Sequence, residues 1–174
     1  MSLTLEQKQA VVAEVHSIAV RAQSAIAAEY AGMTVEQMTG LRKSARAVGV
    51  EVRVVKNTLA QRAFGGTSFE CMQQALSGPL ALIFSNDDPG AGARVLREYL
   101  KQNGNLVVKA IALSGTLRSG ADLELLANMP TLPEARARLL GVLQAPTTKL
   151  VRTLAEPGAK FVRLLAAYRD SKAA

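Results

Sequence analysis

The sequence is poor in the residues that most enzymes and metalloproteins depend on. Among 174 residues there is one cysteine, one histidine and no tryptophan. A lone Cys71 excludes an internal disulfide and a cysteine-built metal cluster, and within a helical stretch it reads as a small buried residue. His16 stands in the first amphipathic stretch with no serine, cysteine or carboxylate patterned as its catalytic partner, so it reads as a surface or half-buried side chain. No apolar run reaches membrane-spanning length, and residues 1–9 lack the basic-then-apolar pattern of a secretory signal. The expectation is a reduced, cytoplasmic protein with no membrane partner. No Gly-Lys-Ser/Thr follows a glycine-rich turn, which removes the usual phosphate-cradling loop. Gly90-Ala-Gly92 lacks the third glycine of a dinucleotide fingerprint, and Asp87-Asp88 at a helix start is an ordinary complement to the helix dipole. No catalytic residue, metal site or cofactor is expected.

What the sequence does have is positive charge in a restricted place. Lys and Arg exceed Asp and Glu by 21 to 14, a net charge of +7. Between residues 42 and 62 stand Arg42, Lys43, Arg46, Arg53, Lys56 and Arg62 against Glu51 alone. Such a concentration points to an anionic partner, with a solvated charged face as the plainer alternative. Phe, Tyr and Trp together make only 4 % of the chain, and none is interleaved with these charges. That argues against stacking on splayed bases and for a folded RNA held by its backbone. Lys56 and Asn57 open a helix whose first amides suit a phosphate.

Strands and helices alternate along the chain. Thr4-x-x-Gln7 and Thr34-x-x-Gln37 are capping boxes ahead of amphipathic helices over 4–22 and 34–48, the second with an inner face of Val35, Met38, Leu41, Ala45 and Val48. Strands are predicted over 24–30, 50–55, 79–85 and 105–113. Asn57 is predicted to cap a helix through Phe64, Thr67-x-x-Glu70 to open a short one, and Pro89 to stand first in a helix running to Asn103-Gly104. Leu123, Leu125 and Leu126 indicate a small helix, and Thr131-x-x-Glu134 caps another through about Gln144. The fold class expected is α/β, a mixed sheet covered by helices, with a protruding, proline-jointed C-terminal helix. Residues 1–130 would form the domain and residues 131–174 the helical segment.

The last thirty residues repeat themselves. Pro146-Thr-Thr-Lys-Leu-Val-Arg-Thr-Leu-Ala155 recurs as Pro157-Gly-Ala-Lys-Phe-Val-Arg-Leu-Leu-Ala166, eleven residues later. Eleven residues are about three helical turns, so Leu150, Val151 and Leu154 fall on nearly the same face as Phe161, Val162 and Leu165. A lone helix with such a stripe needs something to cover it, and a stripe presented twice suits identical partners better than one core. Pro157 removes an amide donor and should bend the helix. Lys149, Arg152, Lys160, Arg163 and Arg169 would suit an acidic protein, and equally a membrane surface.

Arg53-Val-Val-Lys-Asn-Thr-Leu59, Met38-Thr-Gly-Leu-Arg-Lys43, Gly78-Pro-Leu, Phe84-Ser, Asp88-Pro-Gly90 and Lys149-Leu-Val-Arg-Thr-Leu154 together resemble the family of bacterial large-subunit ribosomal protein ten, the stalk-base proteins. The resemblance runs from the first helix to the C-terminus. It implies a non-enzymatic adaptor of the large ribosomal subunit in the cytoplasm. The N-terminal domain would bind large-subunit rRNA of the GTPase-associated region beside ribosomal protein eleven. The C-terminal helix would anchor several dimers of the acidic stalk protein seven/twelve, which recruit translational GTPases. Carried onto this chain, the RNA role falls to Arg42, Lys43, Arg46, Arg53, Lys56, Asn57 and Arg62, with Lys8 added. The dimer-binding role falls to Leu150, Val151, Leu154, Phe161, Val162, Leu165 and Tyr168. Shorter members pass almost directly from one Lys-Leu-Val-Arg-Thr-Leu-Ala segment to the terminal Arg-Asp, so Glu156-Pro-Gly-Ala159 and the second segment are extra here.

Overall fold

The computed structural model describes residues 4–102 and 106–173. The chain separates into two compact units, Met1–Met129 and Pro130–Ala174.

The first unit is a five-stranded sheet between two helical layers. Its elements run α1 (Leu5–Arg21), β1 (Ser24–Glu29), α2 (Val35–Ala47), β2 (Val50–Val54), α3 (Asn57–Phe64), a 3₁₀ turn (Glu70–Ala75), β3 (Leu80–Ser85), α4 (Ala91–Gln102), β4 (Val107–Leu113), β5 (Thr116–Ser119), a second 3₁₀ turn (Gly120–Asp122) and α5 (Leu123–Ala127). The strand order is β2-β3-β1-β4-β5, and every neighbouring pair is antiparallel. The sheet is therefore antiparallel, not mixed. β2 runs in the same sense as β1, and β4 in the same sense as β3, so α2 and α4 each carry the chain past one intervening, opposed strand.

Alternation along the strands feeds two cores. Ala25 and Ala27 of β1, Leu80, Leu82 and Phe84 of β3, and Ala110 and Ala112 of β4 face α1, α3 and the Glu70–Ala75 turn. Ile26, Ile83 and Ile111 face α2, α4 and α5 on the other side. Phe64 anchors the first core, edge-on to Phe69 and Phe84 at ring-centre distances of 6.3 and 6.2 Å. Strands β1 and β3 are covered on both faces, which is why they read as apolar runs without a polar alternate.

Local chemistry sets the helix starts. Both capping boxes form: Gln7 N–H donates to Thr4 Oγ1 and Thr4 N–H to Gln7 Oε1, and Thr34 and Gln37 repeat the exchange. Several expectations change. Val35 and Val48 are exposed, because only Met38, Leu41 and Ala45 of α2 meet the second core. Asn57 does not cap α3. Lys56 holds that position, and the Asn57 amide instead donates to Gly78 O at 2.9 Å, tying the helix start to the turn before β3. The Thr67 segment makes a 3₁₀ turn in which Cys71 is half-buried. Helix α4 begins at Ala91, not Pro89, because Asp88 accepts from Gly90 N–H at 3.0 Å and spends Pro89-Gly90 on a turn. The expected helix end at Asn103-Gly104 and strand start at Asn105 lie outside the described residues.

Strand β5 was not expected. Ser114 and Gly115 both have positive φ (47° and 83°) and close a two-residue hairpin that pairs Leu113 with Thr116. Gly90 and Gly92 have a packing reason: a Cβ would stand 2.9 Å from Leu126 O at the first and 2.7 Å from Ser85 Oγ at the second. Ser85 Oγ already accepts from Gly92 N–H at 3.1 Å, which satisfies a buried hydroxyl.

The second unit is one helix, α6 (Leu132–Ala173), 42 residues long. Thr131 N–H donates to Glu134 Oε2 at 3.3 Å, half of the expected capping box. The helix does not stop near Gln144. It continues through Pro146 and Pro157, so the prolines remove amide donors from the ladder without ending the element.

Candidate nucleic-acid and protein-docking surfaces

The free edge of β2 gathers three of the expected cations. Arg42 and Arg46 project from α2, one helical turn apart, and Arg53 from the strand, and together with Glu51 they line one open groove. Arg53 faces the α1 layer, where its guanidinium meets Glu14 at 2.6 Å with both side chains about half exposed (46 % and 52 %). An exposed pair of this kind is worth about 1 kcal/mol at most, so an arriving phosphate can compete for the arginine. Charges on the open edge also discourage another strand from pairing there.

The remaining cations are placed elsewhere. Lys56 and Asn57 line a recess with Tyr30 and Pro79 at the start of α3, whose first turn carries no side-chain cap. Lys8 and Arg62 flank a third recess between α1 and α3, floored by Leu5, Val12 and Leu59. His16 belongs to that same recess, where Nδ1 lies 2.9 Å from Ala63 O and joins the two helices. Lys43 is exposed on α2 and lines none of these recesses. Seven of the eight residues thus form three neighbouring groups rather than one site, with Lys43 outside them. By contrast Lys109 and Arg94, outside the expected set, are engaged internally with Glu29 and Asp88.

On α6 every residue expected to dock a partner is exposed, with Leu150 62 %, Leu154 75 % and Phe161 63 % accessible. At about 100° per residue they fall in one stripe, while Lys149, Arg152, Lys160 and Arg163 fall on the opposite side. The charges therefore act on a partner through the field of the whole helix, not as contacts within the stripe. Leu139, Leu140, Val142 and Leu143 are exposed in the same way, though the sequence reading did not single them out. For Leu139, Leu140 and Leu143 the signal was present: the eleven-residue offset, applied once more toward the N-terminus. Glu14 was also missed, and no local pattern could have found it, because only the packing of α1 brings it beside Arg53. Among the described residues no helix is long and apolar enough to cross a membrane, and no three metal-binding side chains converge.

The chain thus joins in sequence a sheet domain with a cationic edge and a helix with an exposed apolar stripe. The comparisons give it a family. The model of the family described as "Ribosomal protein L10" matches residues 3–101, and that of the "Ribosomal protein uL10 C-terminal region" matches residues 129–155. A protein of Coxiella burnetii (strain Dugway 5J108-111) named "Large ribosomal subunit protein uL10" is 50 % identical over 174 residues, all of both chains. Proteins of the same name are 53 % identical over all of this chain and 94 % of their own in Nitrosococcus oceani, and 49 % over 99 % and 98 % in Alcanivorax borkumensis. The chain belongs to the ribosomal protein L10 family, a structural family and not one of enzymes. The second proline-led segment is no addition relative to the Coxiella protein, which is matched along its whole length.

Proposed function

We propose that this protein is a structural constituent of the large ribosomal subunit, in the cytoplasm, where it forms the base of the stalk. The domain of residues 1–130 binds large-subunit rRNA of the GTPase-associated region, beside ribosomal protein eleven. The helical segment 131–174 anchors several dimers of the acidic stalk protein seven/twelve, through which translational GTPases are recruited. The observation that carries this reading is the conjunction, in one member of the L10 family, of a cationic sheet edge and an exposed apolar stripe on a single long helix.

The division of labour follows from the chemistry. Arg42, Arg46 and Arg53 offer guanidinium forks at a free strand edge, a geometry that takes phosphate oxygens and reads backbone shape. Lys56 and the uncapped start of α3 add a cation and aligned amides. The α6 stripe offers several large apolar side chains, each contributing about 1.5–3 kcal/mol when fully covered.

Arg42→Ala with Arg53→Ala should weaken binding to an rRNA fragment and lower the slope of log affinity against log salt by about 1 per lost phosphate contact. Unchanged affinity and slope in a filter-binding titration would remove the RNA assignment. Deleting residues 131–174 should leave RNA binding intact while the chain no longer retains stalk dimers on gel filtration. Retention by the truncated chain would remove the docking assignment.

A further inference from the structure

We propose that the recess between α1 and α3 takes a single unstacked nucleobase of the bound RNA, so that this chain reads one base as well as the backbone. The inference rests on the RNA role proposed for the domain. This recess differs in kind from the other two. The groove at the β2 edge is lined by arginines and strand residues, and the Lys56 recess by the start of α3 and the turn before β3. Here Leu5, Val12 and Leu59 supply an aliphatic floor, and the cavity measures about 420 Å³, a size suited to a small ring system. Leu5 is 71 % exposed, and such a side chain offers a phosphate nothing.

Lys8 and Arg62 flank that floor, and among the described residues lining the recess none is acidic. The combination fits a body with apolar faces and an anion on either side, which is a nucleotide within a strand. The recess also continues the surface assigned to RNA. Arg62 lies six residues along α3 from Lys56, about 9 Å by helical rise, within reach of the same strand. No aromatic ring is needed, since aliphatic side chains also cover the face of a base.

His16 decides between a base and the apolar face of a protein helix. Its Nδ1 lies 2.9 Å from Ala63 O, and a carbonyl only accepts, so Nδ1 carries the hydrogen. In the neutral ring Nε2 is then an acceptor, on an exposed side chain that lines the recess. Every base has an N–H on its Watson–Crick edge to donate there. A leucine laid over the same place would leave Nε2 dry and without a donor, which costs free energy.

Filter binding tests this with the full chain and an rRNA fragment of the GTPase-associated region, made abasic at one unpaired nucleotide at a time. One position should lose about tenfold or more in affinity. 2-Aminopurine placed there should brighten on binding, as it leaves the stack. Ala13→Phe, at an exposed position lining the recess, should fill it. That variant should bind the native RNA more weakly by a similar factor and the abasic RNA as wild type does. His16→Phe, which keeps a ring and removes the acceptor, should cost the native RNA about two- to tenfold and the abasic RNA nothing. Unchanged circular dichroism at 222 nm verifies the fold of both variants. Native RNA bound, with an abasic nucleotide tolerated at every position, would overturn base insertion and leave the RNA role standing. Ala13→Phe that weakens native and abasic RNA alike would overturn it too. Ala13→Phe without effect on any RNA would do the same and hand the recess to a protein helix. No binding of native RNA would overturn the RNA role itself.

Discussion

The two units of this chain use similar side chains to opposite ends. In residues 1–129 phenylalanine and leucine disappear between a sheet and its helices: Phe64 and Phe84 are fully buried. In residues 130–174 the same residue types stand in solvent along α6. Charge divides the other way. The first unit holds thirteen Lys and Arg against eleven Asp and Glu, while the second holds eight against three. Most of the net charge of +7 is therefore carried by the helix, and the cationic edge of the domain comes from placement, not from excess. Overall charge is a poor guide to where an anionic partner binds, and local clustering a good one.

The sharpest way to break this contrast is a pair of apolar truncations. Phe84→Ala should destabilise the domain by about 3–5 kcal/mol, since it opens a cavity beneath Phe64 in a closed core. Leu154→Ala, which removes a side chain already in water, should change the stability of the free chain by about 0.5 kcal/mol or less. Urea unfolding measures both, and a large loss from Leu154→Ala would mean that the stripe is already covered within the chain.

Glycines give the next largest difference. Gly92→Ala should cost about 1–3 kcal/mol, because the new methyl meets Ser85 Oγ at 2.7 Å and disturbs the hydrogen bond that satisfies it. Gly158→Ala meets nothing within 4 Å and should raise the helicity of α6, stabilising it locally by about 1 kcal/mol. Thermal melts for the first and far-ultraviolet circular dichroism for the second would check these signs.

The smallest effect concerns a phenol. Tyr99 is buried, its hydroxyl has no partner among the described residues, and burial raises its pKa above the ordinary 10.0. A raised value in the folded state means that this contribution to stability is complete below about pH 10 and is lost as pH climbs beyond it. Tyr99→Phe should therefore be neutral or stabilising by up to about 1 kcal/mol at neutral pH, and should decline less steeply in melts taken from about pH 9 to 11.

The alternation of elements and both threonine capping boxes were legible in the sequence, because each depends on residues within a turn or two of one another. The strand β5 was hidden by its length of four residues and its exposure on every side chain, although Ser114-Gly115 marked the hairpin. The inner face assigned to α2 was too wide, since periodicity names the apolar residues and says nothing of how much of the helix a partner layer covers. Asn57 has the chemistry of a cap, yet Gly78 O, twenty-one residues away, claims its amide. Of the cationic residues, the sequence named the members but not their grouping: only the packing of α2 against β2 sets Arg42, Arg46 and Arg53 around one groove.

By itself the sequence determined the starts of α1 and α2, the central strands, the basic run and the eleven-residue repeat of the tail. All of these arise from interactions between near neighbours, or from a period that any single helix imposes on its own residues. Only the tertiary structure decided the antiparallel order β2-β3-β1-β4-β5, the pairing of Glu14 with Arg53, and the close approach that Gly92 permits. Those depend on which distant segments share a face of the sheet. That choice is made by burying two apolar surfaces at once, and no local stretch of chain carries the information alone.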